Sequence, residues 1–108
     1  MRVLLIDDNL MSSHRLAGAL GRLGHQCAVD AAATEAGDAE LVVVNLGSRG
    51  LPGVELVARL KSTRPELRVV GFCGHLEVER RRAALAAGID RLFTNSDTAE
   101  RPERLLET

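Results

Sequence analysis

The sequence predicts a doubly wound α/β fold, in which helices cover both faces of a five-stranded parallel sheet. Residues 3–6 and 41–44 are short, continuous apolar runs that contain β-branched residues and are bounded by polar or turn residues. Such runs are typical of strands buried on both faces. Segments with apolar residues at helical spacing alternate with them, which indicates parallel pairing because parallel strands need crossover connections.

The remaining elements follow from the same periodicities. The predicted helices have their apolar positions at Leu16, Leu20 and Leu23, at Val54, Val57 and Leu60, and at Val78, Ala84 and Leu85. Weaker strands are predicted at residues 26–29, 68–73 and 91–94. Residues 31–40 leave room for one or two helical turns, so the second helix should be shortened and largely loop. Residues 99–108 offer only two apolar anchors, so the last helix should be short and should fray.

Composition bounds the class of protein. The 108 residues are 45% apolar and 27% charged, with a formal net charge of −1, which is typical of one globular domain. The balanced charge does not favour nucleic acid, and the N-terminus is neither a signal peptide nor a membrane span. We therefore expect one cytoplasmic domain over residues 1–108, with no nucleic-acid or membrane partner.

Polar residues stand at four predicted strand ends. They are Asp7 and Asp8 after the first strand, Asn45 after the third, Cys73 after the fourth and Asn95 after the fifth. The carboxyl ends of parallel strands meet at one edge of a sheet, so these side chains should line one pocket. A carboxylate at position 45 could accept a phosphoryl group, whereas the neutral amide of Asn45 cannot form an acyl phosphate.

The chain resembles, along essentially its whole length, the receiver domain of bacterial two-component response regulators. The residues that carry the resemblance are the strand with its acidic pair, 3–9 (VLLIDDN), the loop 51–53 (LPG) and the segment 87–90 (AGID). The resemblance implies a flavodoxin-like (CheY-like) sheet in the order 2-1-3-4-5, here as a single receiver-like domain without an output domain. It also implies signal transduction through a protein partner.

The sequence departs from the receiver pattern at the residues that carry its chemistry. The family has a phosphoacceptor aspartate at the position of Asn45, a serine or threonine at that of Cys73, and a lysine followed by proline at Asn95 and Ser96. Leu92 stands where the family commonly has an aromatic residue that reports the switch. A thiol is a weak donor and an amide lacks the positive charge of lysine. We therefore predict a degenerate receiver (a pseudo-receiver) that is not an enzyme.

The resemblance also implies magnesium bound by an acidic pair and the acceptor carboxylate. Here only Asp7 and Asp8 remain, so we expect no cofactor, or weak Mg²⁺ binding at best. Their repulsion should be relieved by another cation, with Arg49 and Arg91 as candidates. Ser48, three residues beyond Asn45, is an alternative phosphoacceptor but has no base beside it.

Two cysteines lie near histidines in the sequence. Cys27 and Cys73 each have a histidine two positions away, His25 and His75, so a disulfide and a Cys2His2 metal site are both alternatives. The implied strand order separates the cysteine strands by three positions, roughly 14 Å. A disulfide needs Cα atoms within about 7 Å, so we expect two reduced core cysteines.

The run Arg80, Arg81 and Arg82 lies on the predicted helix before the last strand. Preceding glutamates at helical spacing favour a solvated, self-paired face. The alternative is a partner surface, because the resemblance places receiver dimerisation and target binding on this helix, the last strand and the last helix. We expect phosphorylation-independent contact with a protein, a second copy of the chain included. The alternatives are a phosphorylated single-domain regulator or phosphate sink, and a metal or small-molecule sensor that uses the acidic pocket.

Overall fold

Five parallel strands form one sheet in the computed structural model, which describes residues 1–32 and 35–107. The strands are β1 (Arg2–Ile6), β2 (Gln26–Val29), β3 (Leu41–Asn45), β4 (Arg68–Cys73) and β5 (Arg91–Thr94). Their order is β2-β1-β3-β4-β5, which confirms the predicted doubly wound, flavodoxin-like sheet. The strand bounds agree with the sequence prediction to within one residue.

Within the described residues, four α-helices and one 3₁₀ helix flank the sheet. They are α1 (Leu10–Arg22), α2 (Gly53–Thr63), α3 (Val78–Ala86), α4 (Asn95–Glu100) and the 3₁₀ helix Pro102–Leu106. The side chain of Asn9 caps α1 by accepting a hydrogen bond from the Ser12 amide at 3.0 Å. Among the described residues, no helix has the length and apolar character needed to cross a membrane.

The sheet separates two apolar cores. Side chains alternate between the faces of β3, so Val42 and Val44 pack on the side of α2 and α3, whereas Leu41 and Val43 pack on the side of α1 and the 3₁₀ helix. All five residues of β3 are buried, because the strand is central and both of its faces are covered. This central strand delivers Asn45 to the carboxyl edge.

The shortened second helix is not found in the described part of the connection from β2 to β3. Residues 30–32 and 35–40 form turns and bends, while Ala33 and Thr34 lie outside the described residues. The Asp30 carboxylate accepts a hydrogen bond from the Ala32 amide at 2.9 Å, and such side-chain bonds compete with helix formation. Gly37 adopts φ +58°, which further interrupts a helical path.

The C-terminal segment, predicted to be short and to fray, packs on the core in its described part. The 3₁₀ helix buries Leu105 completely in the core on the α1 side, and the Arg68 guanidinium bonds to the Glu107 carbonyl oxygen. Tertiary packing therefore stabilises a segment too short to be a stable helix alone. Thr108 lies outside the described residues.

Of the three apolar residues predicted to anchor α3, two are exposed to solvent. Only Ala84 is buried, whereas Val78 is 54% exposed and Leu85 is 62% exposed. At 100° per residue, Val78 and Leu85 share one side of the helix and Ala84 lies about 100° away from it. The small Ala84 side chain packs on α2 and the sheet, which turns the larger pair toward solvent.

Candidate functional site

A cleft of about 700 Å³ opens at the carboxyl edge of the sheet. Asp8, Asn45 and Asn95 line it, and Asp7 lies buried beneath Asn45. Cys73 is fully buried at the end of β4 and does not line the cleft. The loops after β1, β3 and β5 thus bring the predicted polar residues to one place, as strand ends in a doubly wound sheet do.

Asp7 is a buried carboxylate whose oxygens are satisfied by donors of the protein itself. It is 2% exposed. Its Oδ1 accepts hydrogen bonds from the Asn9 amide and from Asn45 Nδ2, both at 2.9 Å, and its Oδ2 accepts one from the Ser12 hydroxyl at 2.6 Å. Three donors compensate the desolvation of this charge.

Asn45 bridges Asp7 and the loop after β3. Its Nδ2 donates to Asp7, and its Oδ1 accepts a hydrogen bond from the Gly47 amide at 3.0 Å. This orientation is fixed by chemistry, because a carboxylate can only accept and a backbone amide can only donate. Asn45 therefore fills both roles at once, and an aspartate could fill only the second.

Asp8 faces the mouth of the cleft and is tied to the loop after β3. It accepts a hydrogen bond from the Ser48 hydroxyl, and the Ser48 oxygen in turn accepts one from the Gly50 amide at 3.3 Å. A Cβ atom at Gly50 would collide with Asp8 Oδ2, so a larger residue there would displace the Asp8 carboxylate from this position. Ser48 is thus a partner of Asp8.

Of the two arginines expected to relieve the repulsion between Asp7 and Asp8, only one lies near them. Arg49 lines the cleft. Arg91 starts β5 at the opposite edge of the sheet, where its guanidinium stacks 4.9 Å from the centre of the Phe93 ring and pairs with Glu107 at 3.7 Å. Neither arginine binds Asp7 in the described residues, where its hydrogen-bond donors are the Asn9 amide, Ser12 and Asn45.

The ends of β4 and β5 carry a buried thiol, Cys73, and an exposed amide, Asn95. Burial raises the pKa of the Cys73 thiol, while the guanidinium of Arg81, 4.0 Å from the sulfur, acts weakly in the opposite direction. Asn95 is exposed as the first residue of α4, and its side chain makes no hydrogen bond within the described residues. Leu92 is half-buried against the core on the α2 and α3 side.

The arginine run on α3 is largely paired. Arg80 binds Glu77 at 2.5 Å and Arg82 binds Glu79 at 3.4 Å, both three residues apart. Arg81 lies over Cys73. These contacts match the self-paired helix face that the glutamate spacing favours.

The two cysteines are both free. Cys27 lies half-buried on β2, and its strand is separated from that of Cys73 by β1 and β3. In residues 1–32 and 35–107, no group of three or more histidine, cysteine, aspartate or glutamate side chains is placed to hold a metal ion.

Sequence reasoning missed Ser12, which donates to Asp7, and the apolar side of the cleft. Ser12 carries a recognisable signal, because it stands three residues after the helix cap Asn9, in the first turn of α1, where its hydroxyl can reach back to Asp7. Leu16 and Phe72 also line the cleft, but their sequence pattern is that of ordinary core residues.

Solved structures with the same fold are receiver domains of response regulators. The receiver domain of NtrX from Brucella abortus is 28% identical, with a TM-score of 0.78 and 98% of each chain covered. A response regulator from Burkholderia pseudomallei, solved with a phosphorylated aspartic acid, calcium ion and citrate, is 24% identical, with a TM-score of 0.83 over 99% of this chain and 66% of that chain. HP1043, an orphan response regulator of H. pylori, is 21% identical, with a TM-score of 0.77 over 99% of this chain and 97% of that chain.

These similarities cover nearly the whole of this chain, but only part of some of the matched proteins. In a longer NtrX structure, the chain covers 25% of that protein. No family model matches the sequence, and no curated protein matches it either. The neighbours and the sheet order show the fold of a response-regulator receiver domain.

Proposed function

We propose that this chain is a receiver domain of the response-regulator type that signals from the cytoplasm by protein–protein contact, without aspartyl phosphorylation. It catalyses no phosphoryl transfer and acts as a fixed binding surface. The observation that carries the proposal is the hydrogen bond from Asn45 Nδ2 to Asp7 Oδ1 at 2.9 Å. It supports the proposal because the side chain at the acceptor position is engaged as a donor and offers no nucleophilic oxygen.

The surroundings of Asn45 support the same conclusion. A phosphoryl group on β3 would need a cation and hydroxyl donors around its oxygens. The groups at the neighbouring strand ends are the buried thiol of Cys73 and the exposed amide of Asn95. Neither supplies a positive charge, and the thiol is a poor donor.

Magnesium, which the resemblance to receivers implies, fits this pocket poorly. Mg²⁺ needs anionic oxygen ligands in octahedral geometry. The group that faces Asp7 from β3 is a nitrogen donor, and both Asp7 oxygens already accept hydrogen bonds. Binding to Asp7 and Asp8 would require these donors to turn away, so any magnesium affinity should be weak.

The partner surface in this proposal is centred on α3. Leu76, just before α3, is 80% exposed, and Val78 and Leu85, which share one side of α3, are both more than half exposed. Together with Arg82, which is 72% exposed at its side chain, they form an apolar patch with a charged rim, here called the α3 patch. Apolar centres with polar rims are the usual anatomy of protein interfaces.

Intact-mass analysis after treatment with acetyl phosphate and Mg²⁺ tests the proposal. The natural protein should gain no phosphate, whether as a labile acyl phosphate or as a stable serine ester. The triple variant Asn45→Asp, Cys73→Thr, Asn95→Lys restores a nucleophile, a hydroxyl and a counter-charge around Asp7 and Asp8, so it should gain magnesium-dependent label and serves as the positive control.

Label on the natural protein would contradict the proposal, and the Ser48→Ala variant then identifies the acceptor. If that variant loses the label, Ser48 is the acceptor and the domain is a phosphorylated regulator. A folded triple variant without label at any magnesium concentration would show that the pocket differs from that of a phosphorylatable receiver.

A further inference from the structure

One arm of the cleft runs between α1 and α4, away from the acidic pair. We call it the α1–α4 groove, and it is lined by Arg15, Leu16, Ala19, Phe72, Ala99 and Pro102. Leu16 and Phe72 form its floor and are each 5% exposed. Arg15 stands six residues beyond Asn9, which places it roughly 9 Å along the helix axis from the mouth.

The groove is open because α4 is short. Pro102 disfavours helical geometry at Arg101, whose dihedrals of φ −136° and ψ 61° are not helical, so α4 ends at Glu100. The chain then enters the 3₁₀ helix, which contacts α1 and buries Leu105 in the core. The side of α1 that carries Arg15 and Ala19 is left uncovered beside α4.

Charges along the cleft are unequally paired. Its two carboxylates have partners, since Asp8 accepts from Ser48, and Glu77 binds Arg80 and the Gly74 amide. Its two guanidinium groups, Arg15 and Arg49, form no ion pair or hydrogen bond with the part of the chain that the structure describes. The guanidinium groups of Arg15 and Arg49 are therefore available to an anionic ligand.

We propose that the α1–α4 groove binds a small amphipathic anion. Its ligand is an aromatic or alicyclic carboxylate, sulfonate or phosphate, whose body lies on Leu16, Ala19 and Phe72 and whose anionic group binds Arg15. A mostly apolar concave floor with a few polar groups is typical of small-molecule sites, and a guanidinium forms strong charge-assisted hydrogen bonds with such anions. Arg49 at the mouth adds a second, weaker attraction. The proposal is independent of the phosphorylation state, because it uses none of the strand-end residues.

Fluorescence titration with two probes tests this proposal on the intact chain. The probes are 8-anilinonaphthalene-1-sulfonate, which carries an anionic group, and N-phenyl-1-naphthylamine, its neutral analogue. We expect one sulfonate bound per chain. Arg15→Gln should weaken the sulfonate about tenfold and leave the neutral probe nearly unchanged, because it removes a charged hydrogen bond and keeps the apolar floor.

Matched variants locate the site. Arg22→Gln makes the same charge change on the same helix outside the groove and should leave both affinities within about twofold. Ala19→Phe fills the groove and should abolish binding of both probes; Ala99→Phe fills it from the exposed α4 side if the first variant does not fold. The proposal is wrong if the natural chain does not bind the sulfonate, if Arg22→Gln weakens it as much as Arg15→Gln, or if a folded groove-filling variant still binds it.

Discussion

Asn45 shows how one atom changes the physics of a buried site. An aspartate there would face the Asp7 carboxylate across a distance of 2.9 Å, and two like charges at that distance need a metal ion or a proton between them. The amide nitrogen replaces that repulsion with a hydrogen bond. The pocket is thereby complete without a cation, at the expense of the nucleophile.

We therefore expect Asn45→Asp to destabilise the protein by roughly 2 kcal/mol or more at neutral pH without divalent ions, because it removes a donor and adds a buried like charge. Chemical denaturation in EDTA measures this change. Lowering the pH, which protonates one carboxyl of the pair, or adding millimolar Mg²⁺ should restore much of the loss.

Asn95→Asp is the matched control, since it makes the same chemical change at an exposed position at the start of a helix and should alter stability by less than about 0.5 kcal/mol. Equal stability of Asn45→Asp and the natural chain in EDTA would show that the hydrogen bond to Asp7 does not have the role assigned to it. Strong stabilisation of the natural chain by Mg²⁺ would favour a metal-sensing domain instead.

At the scale of elements, α3 is held by the core through a single buried side chain. Only Ala84 is buried, and the ion pairs of Arg80 and Arg82 lie along the helix itself rather than reaching the sheet. Exposed pairs of this kind contribute only tenths of a kcal/mol. The apolar side chains that this helix presents outward are therefore available to a partner without loss of the core.

The α3 patch predicts the outcome of a surface substitution. The double variant Val78→Ser, Leu85→Ser should weaken self-association or partner binding at least tenfold, because both apolar side chains would be buried in the complex. Its thermal stability should change little, since both are more than half exposed in the single chain. Sedimentation equilibrium of the purified chain and quantitative affinity capture from the native cell measure the two kinds of association.

Leu10→Ser, Met11→Ser is the control pair, because these residues of α1 are 84% and 76% exposed. If that pair abolishes association while the α3 pair leaves it intact, the partner surface lies on α1.

At the scale of the whole molecule, the strands of the sheet could be predicted from the sequence. The way in which several helices and loops pack on its faces could not. Continuous apolar runs such as residues 41–44 specify buried strands wherever they occur, and polar residues at strand ends mark one edge of the sheet. The roles of Val78 and Leu85 were not predictable, because helical spacing shows which residues share a side but not which side faces the sheet. The sequence shows that position 45 carries an amide rather than a carboxylate, but the hydrogen bond from Asn45 to Asp7 depends on the approach of two separate strands.

The turns between β2 and β3 have a consequence for how the protein opens. In their described part they place no helix beside β2, where Val29 is 44% exposed and Leu4 of the neighbouring strand is only partly buried. Backbone amides of β3 should exchange with deuterium only when the whole domain unfolds, whereas those of β2 should exchange at least roughly a hundredfold faster through local opening. Hydrogen exchange, measured by mass spectrometry or NMR at several low denaturant concentrations, distinguishes local from global opening, because only global opening accelerates strongly with denaturant. Equal protection of the amides of β2 and β3 would rule out local opening of β2. The β2 edge is then the least stable part of this side of the sheet. Thermal fluctuation should detach β2 while β3, the strand that carries Asn45, remains paired.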